Sequence, residues 1–227
     1  MTETVLILGG TKEAAALAAE LVRDHPEWRV ITSLAGRTKE PHPLAGEVRI
    51  GGFGGADGLA AYLRAERITR LIDATHPFAR CISTNARLAA QHAGVPLEVR
   101  ARPPWARQPG DIWIEVSSLE EARDAIPAGA RVLLALGSQH IAPFAERADV
   151  HFLVRMIDPP ETPLALPDHE LLIGRPGRTA QDEVAVLSAH AITHIVCRNS
   201  GGSGAYAKIE AARQLGLPVI MRVMDAS

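Results

Sequence analysis

One pattern repeats along most of this 227-residue chain: a short apolar run, a turn often rich in glycine, and a segment of helix-forming residues. The first copy is the run 5–8, which stops at Gly9 and Gly10 and precedes an alanine- and leucine-rich stretch at 12–24. Short apolar runs are typical of parallel strands, and strand–helix alternation places helices on both faces of such a sheet. The pattern therefore predicts an α/β fold with parallel sheets.

The alternation continues to the end of the chain. We predict strands at 5–8, 29–34, 48–50, 70–74, 97–102, 112–116, 132–136, 151–156, 171–173, 194–198 and 219–223. We predict helices at 12–24, 60–67, 83–93, 119–126, 179–190 and 205–215.

A proline-rich stretch at 103–109 interrupts the alternation, because proline continues neither a helix nor an inner strand. We therefore predict two Rossmann-like domains with parallel sheets, at 1–104 and 105–227. The alternative is an ordinary loop inside one large sheet. Ligands of parallel α/β sheets bind outside the carboxyl ends of the strands, so we expect the ligand site in an inter-domain cleft.

Composition limits the kinds of molecule that the protein is expected to bind. The formal net charge is -2, and nucleic-acid binders usually carry a basic excess. No apolar run approaches the ~20 residues that cross a bilayer, and the acidic start at 1–4 does not resemble a signal peptide. Cys81 and Cys197 lie far apart in no metal-ligand spacing. We expect a cytoplasmic protein with a small-molecule substrate and no resident metal, nucleic acid or membrane partner.

The first glycine loop joins the first strand to the first helix, where backbone N–H groups and the helix dipole favour a phosphate. It departs from the dinucleotide pattern G-x-G-x-x-G/A, because Thr11 stands where the second glycine is usual. We expect Gly9, Gly10, Thr11 and Glu13 to contact a cofactor, with the Thr11 hydroxyl as a donor to phosphate. The alternative is a plain tight turn.

The end of the second strand points to the cofactor type. NAD sites usually carry an acidic residue here, but no acid lies between Arg29 and Lys39. Ser33, Arg37 and Thr38, together with Gly36, instead suit the 2′-phosphate of NADPH. The alternative is a solvated surface arginine.

A dense glycine group at 51–55 follows the third strand. We expect it to pass close to a ligand, with Gly52 and Phe53 on the cofactor and Gly54 on the substrate. A flexible hairpin is the alternative.

The fourth predicted strand, at 70–74, runs into Thr75, His76 and Pro77. This strand end lies near the reactive ring in a nucleotide-binding sheet, so Asp73, Thr75 and His76 are expected to orient the cofactor or substrate. A capping or core role is the alternative for His76.

A last cluster again follows a strand and opens a helix, which suggests an anion-binding end. Its candidate substrate-binding residues are Arg198, Asn199, Ser200, Gly201, Gly202 and Lys208. Tyr206 and Lys208 are separated by one residue, whereas a short-chain dehydrogenase uses Tyr-x-x-x-Lys.

These residues together resemble the precorrin-6A reductase family of cobalamin biosynthesis. The matching stretches run in order along the chain: 7–11 with 13–14, 36–38, 51–55 with 58–59, 73–79, 136–138, and 198–202 with 208. The resemblance implies a two-domain reductase with NADPH in the cleft. It implies reduction of the C18–C19 double bond of precorrin-6A to give precorrin-6B (dihydro-precorrin-6A).

In that reaction a hydride passes to one carbon and a proton to its neighbour, and the enzyme contributes mainly by positioning the two ring systems. His76 and Tyr206 are candidate catalytic residues as proton donors, and a bound water is the alternative. Candidates to pair with substrate carboxylates are Arg100, Arg102, Arg175, Arg178, Arg198 and Lys208.

Three other functions stay open. A related branch of the family acts on cobalt-precorrin-6A. A short-chain-type dehydrogenase would reduce small ketones. A non-catalytic NADP-sensing module would bind NADPH without consuming it.

Overall fold

The computed structural model describes residues 2–36 and 43–224. The chain divides into two compact units, Met1–Arg102 and Pro103–Ser227. The division coincides with the start of the proline-rich stretch. Among the described residues, no helix has both the length and the apolar character needed to cross a membrane.

The first unit is a five-stranded parallel sheet flanked by three helices. Its elements are β1 Thr4–Leu8, α1 Lys12–Asp24, β2 Arg29–Leu34, β3 Glu47–Ile50, α2 Gly55–Ala65, β4 Arg70–Asp73, α3 Arg80–Ala93 and β5 Leu97–Val99. The strand order is β3-β2-β1-β4-β5, and every neighbouring pair is parallel.

The alternating side chains of β1 contribute to an apolar core on each face of the first sheet. Successive side chains of a strand point to opposite faces of the sheet. Val5 and Ile7 pack in a cluster with α1 residues such as Ala14. Leu6 and Leu8 pack on the other face, in a cluster with residues of α2 and α3. A continuous apolar run is required here because both faces of the central strand are buried.

The second unit is a six-stranded parallel sheet with helices. Its elements are β6 Trp113–Val116, α4 Leu119–Asp124, β7 Arg131–Leu134, 3-10 helices at Ser138–His140 and Ala142–Glu146, β8 His151–Met156, β9 His169–Ile173, α5 Ala180–Ala189, β10 His194–Arg198, α6 Ala207–Leu215 and β11 Val219–Arg222. The order is β6-β11-β10-β7-β8-β9, again parallel throughout.

Two apolar clusters also hold the second unit. Phe144 and Phe152 are fully buried on one face, with ring centroids 5.9 Å apart in an edge-to-face arrangement. Leu133, Ile195 and Ile209 belong to the cluster on the other face, which includes α5 and α6. The predicted α/β class with two parallel sheets is therefore confirmed.

Most element boundaries differ from the predictions by one or two residues, and the start of α2, the start of α3 and the end of β5 differ by three or more. Helix α2 begins at Gly55 rather than at 60, because Gly54 adopts a left-handed conformation (φ +79°) that turns the chain directly into the helix. The extended segment predicted at 97–102 ends as a strand at Val99. Its partner β4 stops at Asp73, whose carbonyl accepts a last hydrogen bond from Arg100 N.

Candidate functional site

The strand order defines where a ligand site is expected in the first unit. From β1 the chain builds β2 and β3 on one side and then β4 and β5 on the other. The carboxyl ends of β1 and β4 thus form the topological switch point, where parallel α/β sheets bind ligands. Most of the described residues predicted to bind the cofactor lie in the loops after β1, β3 and β4, whereas Ser33 lies at the end of β2 and Glu13 in the first turn of α1.

The loop after β1 needs glycine for two physical reasons. Gly9 N donates to Ser33 O at 2.9 Å, and a Cβ on Gly9 would lie 2.9 Å from Thr32 Cγ2. Gly10 has φ +102°, and an added Cβ would meet no atom within 4 Å. The chain therefore passes close to β2 at Gly9 and opens toward free space at Gly10, as a loop that approaches a phosphate requires.

The hydroxyl of Thr11 joins two loops at the switch point. Thr11 is the N-cap of α1, and its Oγ1 accepts from Ala14 N at 3.0 Å. The same oxygen donates to Ala74 O at 3.0 Å. Its hydrogen is thus bonded to the loop after β4, whereas the sequence predicted a donor to phosphate. Thr11 fixes the geometry of the phosphate-type loop from within the protein.

Glu13 in the first turn of α1 also has a protein partner. Its Oε2 accepts from Arg102 Nη1 at 2.9 Å. The buried Nε of Arg102 has no partner among the described residues. The pair ties the end of the first unit to its first helix, and it engages one of the arginines predicted to meet substrate carboxylates.

An arginine that the sequence analysis missed organises the ends of β2 and β3. Arg49 is the register partner of the buried Ser33. Its Nη1 donates to Ser33 Oγ at 3.4 Å and also to Gly51 O, and its Nη2 donates to Gly52 O at 2.8 Å. The only available signal was a charged residue between Val48 and Ile50, directly before the glycine group.

Phe53 packs on this arginine. The guanidinium carbon of Arg49 lies 3.8 Å from the Phe53 ring centroid and 5.1 Å from that of Tyr62. The two rings form an edge-to-face pair with centroids 5.3 Å apart. Phe53 is therefore a platform for a cation at the strand ends, whereas the adjacent Gly52 and Gly54 are exposed.

The loop after β4 holds the remaining predicted residues of the first unit. Thr75 Oγ1 donates to Asp73 Oδ1 at 2.6 Å, and Thr75 N donates to the same oxygen at 3.1 Å. His76 Nδ1 accepts from Phe78 N at 3.2 Å. This bond favours the neutral tautomer in which Nε2 carries the proton.

The second unit has its own switch point, between β7 and β10. From β7 the chain builds β8 and β9 outward, and from β10 it builds β11 on the opposite side. Arg198 ends β10 and reaches across to the loop after β7. Its Nη1 lies 3.1 Å from His140 Nε2, and its Nη2 donates to Leu136 O at 3.3 Å. His140 was not predicted, although the neighbouring 136–138 stretch was singled out.

Asn199 acts as a clamp on the chain that follows the proline pair. Trp105 N donates to Asn199 Oδ1 at 2.7 Å, and Asn199 Nδ2 donates to Trp105 O at 3.0 Å. Trp105 Nε1 also donates to Gly202 O at 2.7 Å. The predicted substrate residues Asn199 and Gly202 therefore hold Trp105, a residue that sequence reasoning did not select.

Lys208 is buried beneath the same loop. The residue is 4% exposed, and Nζ donates to Ala205 O at 2.7 Å. The ammonium also lies 5.0 Å from the Trp105 ring centroid. Burial lowers the pKa of Lys208 and raises the pKa of the neighbouring Cys197 thiol. Its position places a buried cation behind the loop 199–205 rather than on its surface.

An open groove lies beside this loop, within the second unit. Its volume of about 570 Å³ falls in the range of ligand clefts. Trp105, Arg178, Gly202, Tyr206 and Glu210 are among its lining residues. The Tyr206 hydroxyl accepts from Arg213 Nη2 at 2.9 Å, which orients the phenol. The groove combines aromatic surface with a guanidinium.

A buried ion pair supports the loop that carries Arg178. Arg155 of β8 donates to Glu183 of α5 at 2.7 Å, and Glu183 is fully buried. Gly177 N donates to Glu183 Oε1 at 2.6 Å. The carboxylate is thus compensated by a charge and a backbone donor, as a buried charge requires.

The structure therefore separates the predicted site into two groups. The first group lies at the carboxyl ends of the first sheet: Gly9, Gly10, Thr11, Ser33, Gly36, Gly52, Phe53, Gly54, Thr75 and His76. The second follows β10: Arg198, Asn199, Ser200, Gly201, Gly202, Tyr206 and Lys208. Arg37 and Thr38 lie outside the described residues. Within the described ranges, no group of three or more His, Cys, Asp or Glu residues could hold a metal ion.

Fold and site together define an α/β enzyme of two parallel-sheet units, each with candidate ligand-binding residues at the carboxyl ends of its strands. The family model of precorrin-6x reductase CbiJ/CobK matches residues 4–223. The chain belongs to this reductase family, as the resemblance in its sequence predicted.

Individual relatives agree with this assignment. The chain is 47% identical to a precorrin-6A reductase of Rhodococcus erythropolis, over 96% of this chain and 87% of the relative. A cobalt-precorrin-6A reductase of Priestia megaterium is 27% identical, over 96% and 89%. A solved structure of a CobK precorrin-6A reductase matches with a TM-score of 0.95 and 46% identity, covering 100% of this chain and 89% of that chain.

Proposed function

We propose that the protein catalyses the NADPH-dependent reduction of the C18–C19 double bond of precorrin-6A, which gives precorrin-6B in corrin-ring biosynthesis. The observation that carries this proposal is the 47% identity to precorrin-6A reductases over 96% of the chain. The lower identity of 27% to a cobalt-precorrin-6A reductase favours the metal-free substrate. We further propose a cytoplasmic location, because both described cysteines are free.

The residues of the first unit fit a dinucleotide cofactor. The sheet order is that of a nucleotide-binding half, and Gly9 and Gly10 provide the close approach after β1. The end of β2 carries Ser33 and no acid, which favours NADPH over NADH. When bound, NADPH supplies the hydride.

The chain's own contributions are positioning and proton supply. The Nε2 proton of His76 is one candidate for delivery to the substrate carbon, because Nδ1 accepts from Phe78 N. Tyr206 is the second candidate, since its hydroxyl accepts from Arg213 and keeps its own hydrogen to donate. Both side chains have their orientation fixed before substrate binds.

The second unit suits a flat, carboxylate-rich macrocycle. Trp105 and Tyr206 offer aromatic surface along the groove, with ring centroids 5.7 Å apart. Arg178 lines the same groove, and a guanidinium pairs with carboxylates through two parallel hydrogen bonds. We therefore propose that this groove and the loop after β10 contact the substrate.

A turnover assay with defined substrates tests the proposal. Purified protein given NADPH and metal-free precorrin-6A is expected to consume NADPH and to form a product that is heavier by two hydrogen atoms. The measurements are the NADPH absorbance and the product mass. Parallel reactions receive NADH, a cobalt-bearing precorrin-6A, or a simple ketone.

Each other outcome corresponds to a different function. Turnover of the cobalt-bearing substrate alone would assign the protein to the cobalt branch. Turnover of ketones alone would indicate a short-chain-type dehydrogenase. Tight NADPH binding without consumption in the presence of precorrin-6A would indicate a sensing module.

A further inference from the structure

We propose that Arg49 binds the 2′-phosphate of NADPH and so sets the preference for NADPH over NADH. This inference rests on the proposed function, and it assigns a specificity role to a residue outside the glycine loops. Three properties of the guanidinium carry it: its place in the sheet, its fixed orientation and its unneutralised charge.

The place is the carboxyl end of β3, beside the end of β2. Arg49 is paired in register with Ser33, and its Nη1 donates to the Ser33 hydroxyl at 3.4 Å. In a sheet of this order, the residue at the end of β2 contacts the adenosine ribose, and an arginine nearby accommodates a 2′-phosphate. Arg49 therefore lies where an arginine can contact the 2′-phosphate.

The orientation of the guanidinium is fixed by its neighbours. Two backbone carbonyls, of Gly51 and Gly52, accept its hydrogen bonds on one side. The Phe53 ring lies 3.8 Å from the guanidinium carbon and restrains its plane. A guanidinium held in this way loses little side-chain entropy when an anion binds. More of the interaction free energy therefore contributes to affinity.

The charge of the guanidinium is not neutralised within the described parts of the chain. Its partners there are three uncharged oxygen atoms and two aromatic rings, and no carboxylate forms an ion pair with it. Arg29, at the start of β2, shows the contrast, because it pairs with Glu47 and Glu66 at 2.8 Å each.

The donor inventory also leaves room for an anion. A guanidinium has five N–H groups, and the bonds to Ser33, Gly51 and Gly52 use three of them. The Nε–H and one Nη2–H have no partner among the described residues. A phosphate monoester dianion accepts two such parallel hydrogen bonds.

Two small nucleotides isolate the 2′-phosphate: 2′,5′-ADP, which carries it, and 5′-AMP, which lacks it. Their dissociation constants are measured by titration calorimetry for the wild type and for Arg49→Gln. We expect the substitution to weaken the binding of 2′,5′-ADP by about 10- to 150-fold, because a hydrogen-bonded pair of opposite charges is lost. The affinity for 5′-AMP should change by no more than about twofold.

Control variants separate charge, geometry and position. Arg23→Gln removes an exposed charge from the end of α1, away from the carboxyl ends of the strands, and should leave both affinities unchanged. Arg49→Lys keeps the charge without the planar fork, so the ratio of the two affinities should fall between wild type and Arg49→Gln. If Arg49→Gln fails to fold, Arg49→Lys provides the test. A ratio of the two affinities in Arg49→Lys that equals the wild-type ratio would overturn the proposal.

The remaining outcomes distinguish the inference from the proposed function. An equal loss for both nucleotides would mean that Arg49 only holds the loop 51–53, which overturns the inference. If Arg37→Ala selectively weakened the binding of 2′,5′-ADP and Arg49→Gln did not, Arg37 would be the residue that binds the phosphate. That result would also overturn the inference. A wild type that binds both nucleotides equally would contradict NADPH preference itself, and with it the cofactor of the proposed function.

Discussion

At the scale of single residues, several polar side chains predicted to contact ligands form hydrogen bonds within their own unit. Thr11 bonds to Ala74 O, Asn199 bonds to both backbone groups of Trp105, and Lys208 bonds to Ala205 O. Each bond fixes a loop that the sequence predicted to contact a ligand. A substitution at these positions therefore changes loop geometry as well as ligand contact, so affinity and stability need to be measured together.

Lys208 allows a pH-dependent test of this arrangement. Burial lowers its pKa in the folded state below the ordinary value of 10.5, so the unfolded chain binds more protons between the two values. The free energy of unfolding of the wild type should therefore rise with pH in that window, relative to Lys208→Met. In urea denaturation series we expect the free energy of unfolding of the wild type to increase relative to that of Lys208→Met as the pH is raised toward 10.5.

Methionine preserves the length and packing of the lysine stem, and all other titrating groups are common to both proteins. Parallel stability curves for wild type and Lys208→Met would contradict a lowered pKa. They would mean that the ammonium reaches water in solution.

At the scale of elements, the glycine group after β3 divides between a loop and a helix. Gly55 begins α2, and Gly58 lies inside that helix. A Cβ on Gly58 would lie 1.7 Å from the carbonyl oxygen of Phe53. Glycine is therefore required there by close backbone packing, which brings Phe53 against the start of α2 and under Arg49.

Gly58→Ala should destabilise the protein, opposite to the usual effect of alanine in a helix. Alanine ordinarily stabilises a helix interior by roughly 0.5–1 kcal/mol relative to glycine. Here the overlap with a backbone atom forces a shift, and we expect a net loss of about 1–3 kcal/mol in chemical denaturation.

Gly52→Ala is the matched control for that measurement. A Cβ at Gly52 would meet no atom within 4 Å, so its stability should stay within about 0.5 kcal/mol of wild type. A stabilised Gly58→Ala would show that the start of α2 relaxes away from Phe53 at little cost.

At the scale of the whole molecule, the chain consists of two parallel α/β units, and the division along the sequence falls between Arg102 and Pro103. Each unit has its own switch point and its own cluster of predicted site residues. We propose that the first unit binds the adenosine half of the cofactor and that the second binds substrate. The inter-domain cleft expected from the sequence stays a prediction.

Hydrogen exchange with 2′,5′-ADP tests this division. Because the nucleotide lacks the nicotinamide half, we expect increased amide protection in peptides covering 9–14 and 49–54 and no change in those covering 199–206. Labelling the full-length protein and then measuring its peptides by mass spectrometry gives both results in one experiment. Protection confined to 199–206 would assign the nucleotide to the second unit and contradict the proposed division.

Much of the fold was predictable from the sequence, because hydrophobic periodicity is a local property. The strands at His151–Met156 and His194–Arg198 match the predicted ranges, since β-branched and apolar runs between turn residues specify them directly. The boundary of α2 was wrong because a glycine-rich sequence has low helix propensity, and a left-handed Gly54 overrode that propensity.

By itself, the sequence determined the α/β alternation and the reductase family, because each depends on short residue patterns that are local along the chain. Only the tertiary structure decided which side chains are partners. Arg49 forms a hydrogen bond with Ser33, which is 16 residues away in the sequence, and Trp105 forms one with Asn199, which is 94 residues away. Such contacts depend on strand register and on the order of strands in the sheet, which local propensity does not encode. Tertiary packing also buried Lys208 and left the charge of Arg49 without an ion pair among the described residues.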